Sequence, residues 1–254
     1  MVTGIGIHGH IRIEISDGRQ YTFENTITNA GLSALRDALR TGSTTRIANM
    51  TMEGSQSGGS WQYTTTAGVF NTSYTAEFHI TDISPVAGSG QTMVVTDVKL
   101  KTSGGTVYAE HNLGSGQITL GYMDQITVYY TISFSGNQAG QSSQLRLDIQ
   151  SMCRQALVAG SCGYFSEQRL VNQYQSAEQT LSGTVVTAAT YSVGSDNYYA
   201  IKVVTKGIDP DWEPYYARVY NNSGTLMDQQ SIAPYIGEKL INLTHWIYIY
   251  PAIA

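Results

Sequence analysis

The sequence predicts a mainly β protein: two tandem β-sandwich-like domains, each carrying one short helix. Apolar and polar residues alternate at period two in many places, most clearly over Ile126-Thr127-Val128-Tyr129-Tyr130-Thr131-Ile132, which is the spacing of a strand with one buried face. Turn signals such as Asp17-Gly18 and Asn221-Asn222-Ser223-Gly224 separate these runs. The third observation sets the domain count. Ser33–Gly42 (SALRDALRTG) matches Ser151–Gly160 (SMCRQALVAG) at 33/151, 36/154, 38/156, 39/157 and 42/160, an offset of 151 − 33 = 118. Gly105-Thr106-Val107 matches Gly224-Thr225-Leu226, and Val128-Tyr129 matches Ile247-Tyr248, both at 119. A landmark series repeated at one distance marks a duplicated unit. The expected boundaries are a first domain over 1–135, a polar linker over 136–143, and the duplicated domain over 144–254.

Taken in order, Ile11, Ile13 and Ile15 alternate with Arg12 and Glu14, Asp17-Gly18 turns the chain, and Tyr21 and Phe23 alternate with Thr22 and Glu24, an N-terminal hairpin. Thr28 or Asn29 then caps a helix with Leu32, Leu35 and Leu39 on one face, ended by Gly42. The Gly/Ser/Thr-rich stretch from Glu53 to Gly68 reads as a loop or irregular hairpin. Tyr74, Ala76, Phe78 and Ile80 alternate, and Thr92–Leu100 and Thr106–Glu110 flank a turn at Ser103-Gly104-Gly105. The run from Ile126 to Phe134 closes the domain. Leu145, Ile149, Met152, Ala156 and Leu157 suit a second helix ending near Gly160, while Leu145–Ile149 also alternates as a strand would. Strands follow around Tyr199–Val203 and Tyr215–Tyr220. The last run, Leu240–Tyr250, puts Trp246, Tyr248 and Tyr250 on one face and Ile247 and Ile249 on the other, so cover is expected on both. The front hairpin has no second copy. It is therefore expected to dock on a neighbouring subunit or another protein of the same assembly, leaving a folded protein if residues 1–24 are removed.

Only 13% of the 254 residues are charged and 41% are apolar, with 26 Gly and 18 Tyr. Such a chain buries a core and covers itself with hydroxyls and amides, a surface suited to neighbours. A formal net charge of −5 with 14 scattered basic residues offers no footprint for a phosphate backbone, so no nucleic-acid partner is expected. No basic residue precedes an apolar N-terminal stretch and no apolar run reaches spanning length; a soluble chain without leader or membrane contact is expected. Cys153 and Cys162 match no metal or redox spacing and read as buried thiols.

His8-Gly9-His10 would place two imidazoles on one strand face, and three chains could converge six nitrogens on an ion, yet exposed histidines are the favoured reading. His79, His111 and His245 have no partner in sequence. Asp209-Pro210-Asp211-Trp212-Glu213-Pro214 carries three carboxylates, but two prolines and no glycine at the turn favour a stiff loop with Trp212 packed back on the domain over a calcium site. The Tyr and Trp content permits sugar stacking. No G-x-S-x-G, H-E-x-x-H or P-loop occurs, so no catalytic residue, cofactor or metal is assigned and an enzyme is not expected.

Glu24-Asn25-Thr26-Ile27-Thr28-Asn29-Ala30-Gly31-Leu32 resembles the N-x-(I/V)-T-N-A-G run that leads into a short helix in small structural proteins of tailed bacteriophages. Thr106-Val107-Tyr108-Ala109 and Asp124–Ile132 are similar to that family's last two strands, so the resemblance spans about residues 10–135 and fragments of the second copy. The chain departs from the pattern in its duplication and in lacking an acidic-hydrophobic-Gly-Leu block before Lys99. The resemblance implies a virion structural protein, without a particular position in the virion; the leading expectation is a tail, baseplate or neck component, made in the host cytoplasm and docking on other virion proteins, with a capsid decoration or fibre protein as the variant. Two similar domains per chain would let a trimer present six, as a hexamer of unduplicated relatives would. A host-glycan-binding module is the competing class.

Overall fold

The computed structural model describes residues 2–43, 46–56, 59–70, 74–137, 143–208, 212–232 and 241–252. The protein is mainly β. Along the chain β1 (Val2–Ile15) and β2 (Gln20–Ile27) lead into α1 (Asn29–Thr41). Then follow β3 (Ile47–Gln56), β4 (Gly59–Thr66), β5 (Gly68–Phe70), β6 (Ala76–Ile83), β7 (Thr92–Thr102), β8 (Val107–Asn112), β9 (Ile118–Gly121) and β10 (Ile126–Asn137). After α2 (Ser143–Val158) come β11 (Phe165–Val171), β12 (Glu178–Thr180), β13 (Val185–Val193), β14 (Asp196–Ile208), β15 (Tyr216–Asn221), β16 (Leu226–Ser231) and β17 (Ile241–Pro251). No helix among the described residues is long and apolar enough to cross a membrane.

The chain divides into two compact units, but not by a single cut near residue 135. The N-terminal unit holds Ile7–Ala34, Thr45–Ser133 and Pro251–Ala254; the C-terminal unit holds Met1–Gly6, Leu35–Thr44 and Phe134–Tyr250. Local contacts explain the exchange of segments. In the C-terminal unit β1 lies beside β17, and Thr3 is buried against Asp228 and His245. The end of α1 belongs there too: the Cys162 thiol donates to the Ala38 carbonyl at 3.5 Å, and Ser43 bridges Ser161. Of the expected linker, 136–137 finish β10 and Ser143 opens α2, while 138–142 lie outside the described residues.

Within the N-terminal unit the ladder runs β1-β2-β8-β7-β3-β4, with β9 on β7, β10 on β1 and β6, and β5 on β6. Its core draws on Ile11, Ile13 and Ile15 of β1, Met50 and Met52 of β3, Val98 and Leu100 of β7, and Ile126, Val128 and Tyr130 of β10, all buried. Thr28 is the helix cap: its Oγ1 accepts from the Gly31 N–H at 3.0 Å and donates to the Val107 carbonyl at 2.7 Å. That satisfies one of the donors a helix start leaves orphaned.

The C-terminal unit is a sandwich. One sheet is β12-β11-β15-β16, the other β13-β14-β17 with the first residues of β1 at its far side. Leu170 of β11 and Ala217 of β15 meet Ile208 of β14 and Leu243 of β17 in one buried cluster, the two-faced core of packed sheets. Segment 143–158 is helical, not extended, because Ile149, Met152, Cys153, Ala156 and Leu157 bury a stripe at helical spacing.

The duplication is carried by strand register. Thr51 opposes Lys99 as Arg169 opposes Arg218, with 169 − 51 = 118 and 218 − 99 = 119. Leu100 opposes Ala109 as Val219 opposes Asp228, both offset by 119. Ile80 opposes Val128 as Ile201 opposes Ile247, with 201 − 80 = 121 and 247 − 128 = 119. Even the turns agree. Gly105 donates to Thr102 and Gly224 to Asn221, with left-handed φ of 85° and 78° that only glycine adopts without strain.

The front hairpin is no free arm. Ile5, Ile7, Ile11, Ile13 and Ile15 are all buried, so β1 is a core strand, and the expectation that residues 1–24 are dispensable for folding is corrected by its burial.

Candidate docking surface

On the sheet β13-β14-β17 the pairing builds an aromatic face. Tyr191 opposes Tyr198, and Lys202 opposes Trp246. The even-numbered face of β17 thus carries Trp246, Tyr248 and Tyr250 across from Lys202, Ala200 and Tyr198. The rings lie together: Tyr191 is 5.4 Å from Trp246 and 5.3 Å from Tyr248, Tyr198 is 5.5 Å from Tyr248, and Tyr248 is 5.6 Å from Tyr250. The Lys202 ammonium sits 5.0 Å from the Trp246 ring centre.

Small residues make room for this pavement. Ala200 lies fully covered beneath it, and a Cβ on Gly4 would fall 2.8 Å from the Tyr248 hydroxyl, one on Gly6 3.1 Å from the Tyr250 ring. Burial, and then the neighbouring Tyr250, Tyr191 and Tyr198, push the Tyr248 phenol above its ordinary range, so it stays a neutral donor. The sequence reading of Leu240–Tyr250 holds on one face only. Ile247 and Ile249 are buried, whereas Trp246, Tyr248 and Tyr250 are only half-buried.

The first copy shows that the fold does not need this face. By register, Thr127, Tyr129 and Thr131 of β10 correspond to Trp246, Tyr248 and Tyr250, and Glu77 and His79 of β6 to Tyr198 and Ala200. The one aromatic ring left on β10's face, Tyr129, is capped by the Arg12 guanidinium at 4.1 Å. Of the two corresponding strand pairs among the described residues, β14-β17 carries the row of rings and β6-β10 does not.

Beside it lies an edge. β13 ends its ladder among the described residues, pairs with β14 along its whole nine-residue length without a register shift, and carries no charge and no proline in VVTAATYSV. Its first-copy counterpart, β5, is three residues long among the described residues. Val185 and Val193, at the two ends of β13, are 55% and 47% exposed.

No family model matches this chain, nor does any curated protein or solved structure.

The residues singled out from sequence fall elsewhere. His8 and His10 do share a face, and both turn to Glu24, at 2.6 and 3.4 Å. Among the described residues no group of three or more His, Cys, Asp or Glu side chains has the geometry to hold a metal ion. Positions 209–211 of the carboxylate loop lie outside the described residues; Trp212 packs on the Leu170–Leu243 cluster, as a stiff loop folded back requires. Cys153 and Cys162 are free and buried, and burial pushes the Cys162 thiol up to about 11. His245 is not isolated. Its Nε2 contacts both Asp228 Oδ2 and, at 3.1 Å, Thr3 Oγ1. A relay would need the carboxylate on the other ring nitrogen and an accessible hydroxyl, whereas here one nitrogen takes both contacts and the group is sealed from solvent.

Proposed function

We propose that the chain is a virion structural protein of a tailed bacteriophage, a tail, baseplate or neck component that works by self-association and docking on other virion proteins. One observation carries the docking part: the Tyr191-Tyr198-Trp246-Tyr248-Tyr250 face occurs in one of two copies of the same ladder. Aromatic rings presented on a rigid sheet with little charge match the composition of interface cores. The phage assignment rests on the N-x-I-T-N-A-G entry to α1 and the closing strand β10. Peptide mass spectrometry of purified source particles is expected to find this chain at stoichiometric abundance; its absence from intact particles would refute the assignment.

The same pavement favours a second reading, a host-glycan site. Sugars stack on exposed rings, and tyrosine hydroxyls and Lys202 supply hydrogen bonds around them. The decisive variants are Trp246→Ala and Tyr191→Ala, because Trp212 serves the core cluster. Saturable glycan-array binding that both variants abolish would promote this reading over virion docking.

A further inference from the structure

We infer that β13 is a self-association edge: two copies of this chain pair their β13 strands antiparallel about a two-fold axis at Ala189. The inference rests on the self-association reading above and names its surface and partner. Natural edge strands are kept from pairing by charges, proline, bulges or brevity. β13 has none of these, while β12, at the edge of the other sheet of the same unit, is three residues long and carries Glu178.

The choice of a second copy follows from which residues would meet. With Ala189 opposite itself, 185 + 193 = 189 + 189 = 378, so Val185 of each chain faces Val193 of the other. The two exposed valines of the strand, both on the pavement side with Tyr191, then cover one another twice. Thr187 faces Tyr191, extending the aromatic surface across the junction. An uncharged strand brings no like charges together, although each whole chain carries a net −5. An isologous contact of this kind closes on itself instead of growing a fibre.

Cross-linking tests the register in the full-length chain. Opposed residues of an antiparallel pair have Cα atoms about 4.5 to 5.5 Å apart, within disulfide range. Ala189→Cys is expected to give a covalent dimer under mild oxidation. Ser192→Cys, which would face Val186, is expected to give none, and the buried native thiols stay silent. By sedimentation, Val185→Lys with Val193→Lys should weaken association about tenfold by setting lysines opposite one another, and Val185→Glu with Val193→Lys should restore it. A chain that associates while Ala189→Cys fails to cross-link, or while the double lysine variant associates like the parent, overturns the β13 pairing and leaves self-association standing. A chain monomeric at every concentration and absent from particles overturns both.

Discussion

Asp228 has no exposed surface, and its Oδ2 takes contacts from Thr3, His245 and, at 3.1 Å, Gln230, while its Oδ1 and His245 Nδ1 have no partner among the described residues. Removing one member of such a buried set strands the others. Asp228→Ala is expected to cost about 3 kcal/mol or more in urea unfolding, and Thr3→Val about 1 kcal/mol, since only a neutral hydroxyl is lost. Glu178 sets a pH dependence. Burial opposes its charge, but hydrogen bonds from Tyr220 and Arg218 and the charges of Arg169 and Arg218 hold the carboxyl below its ordinary 4.5. A lowered acid stabilises above the unfolded value and loses that contribution as pH falls through the folded one. The urea midpoint should therefore drop below about pH 4.5, and Glu178→Gln should flatten the drop by up to ~1 kcal/mol for so exposed a pair. Neither group was legible in the sequence. Thr3 and His245 stand 242 positions apart, and a buried polar contact leaves no periodic trace.

At the level of strands and helices, alternation found what alternation can find. β10 reads clearly because one face is buried and the other is not, whereas β17 reads as a strand but not in its cover, since its half-buried aromatic face looks in sequence like a second buried one. β13 escaped because neither of its faces is fully buried; β4 reads in sequence as either loop or irregular hairpin because its Gly, Ser and Thr residues blur the alternation, and it is the second strand of a hairpin with β3. α2 was ambiguous until its stripe of buried residues was seen. β1 was visible as a hairpin strand, but its role was not, because pairing partners so distant leave no local signature. Deletion of residues 1–24 removes all five buried isoleucines of β1. The truncated chain is expected to be insoluble or to lack a cooperative unfolding transition; a folded, soluble product would show that β1 is dispensable after all.

For the molecule as a whole, the repeat at 118–119 was the most legible feature, since register preserves offset even where side chains diverge. The segment exchange was not, because a sequence repeat says which pieces are alike and nothing about which pack together. Native mass spectrometry of the intact chain is expected to give multiples of three. A two-fold at β13 combined with a three-fold makes a hexamer of dihedral symmetry, so six copies is the expected closed form. A stable dimer alone would keep the two-fold and discard the three-fold. The placement of Met1–Gly6 also sets a timetable. The C-terminal unit cannot finish its sheet until β17 has been synthesised, and at 5–20 residues per second the first strand waits about 10 to 50 s for that neighbour. Through that interval the first residues of β1 have β10 on one side but lack β17, and closing so long a loop is slow in itself. The newborn protein is thus most at risk of misassembly at the first residues of β1, which wait on β17, and refolding from denaturant should be strongly concentration-sensitive in yield.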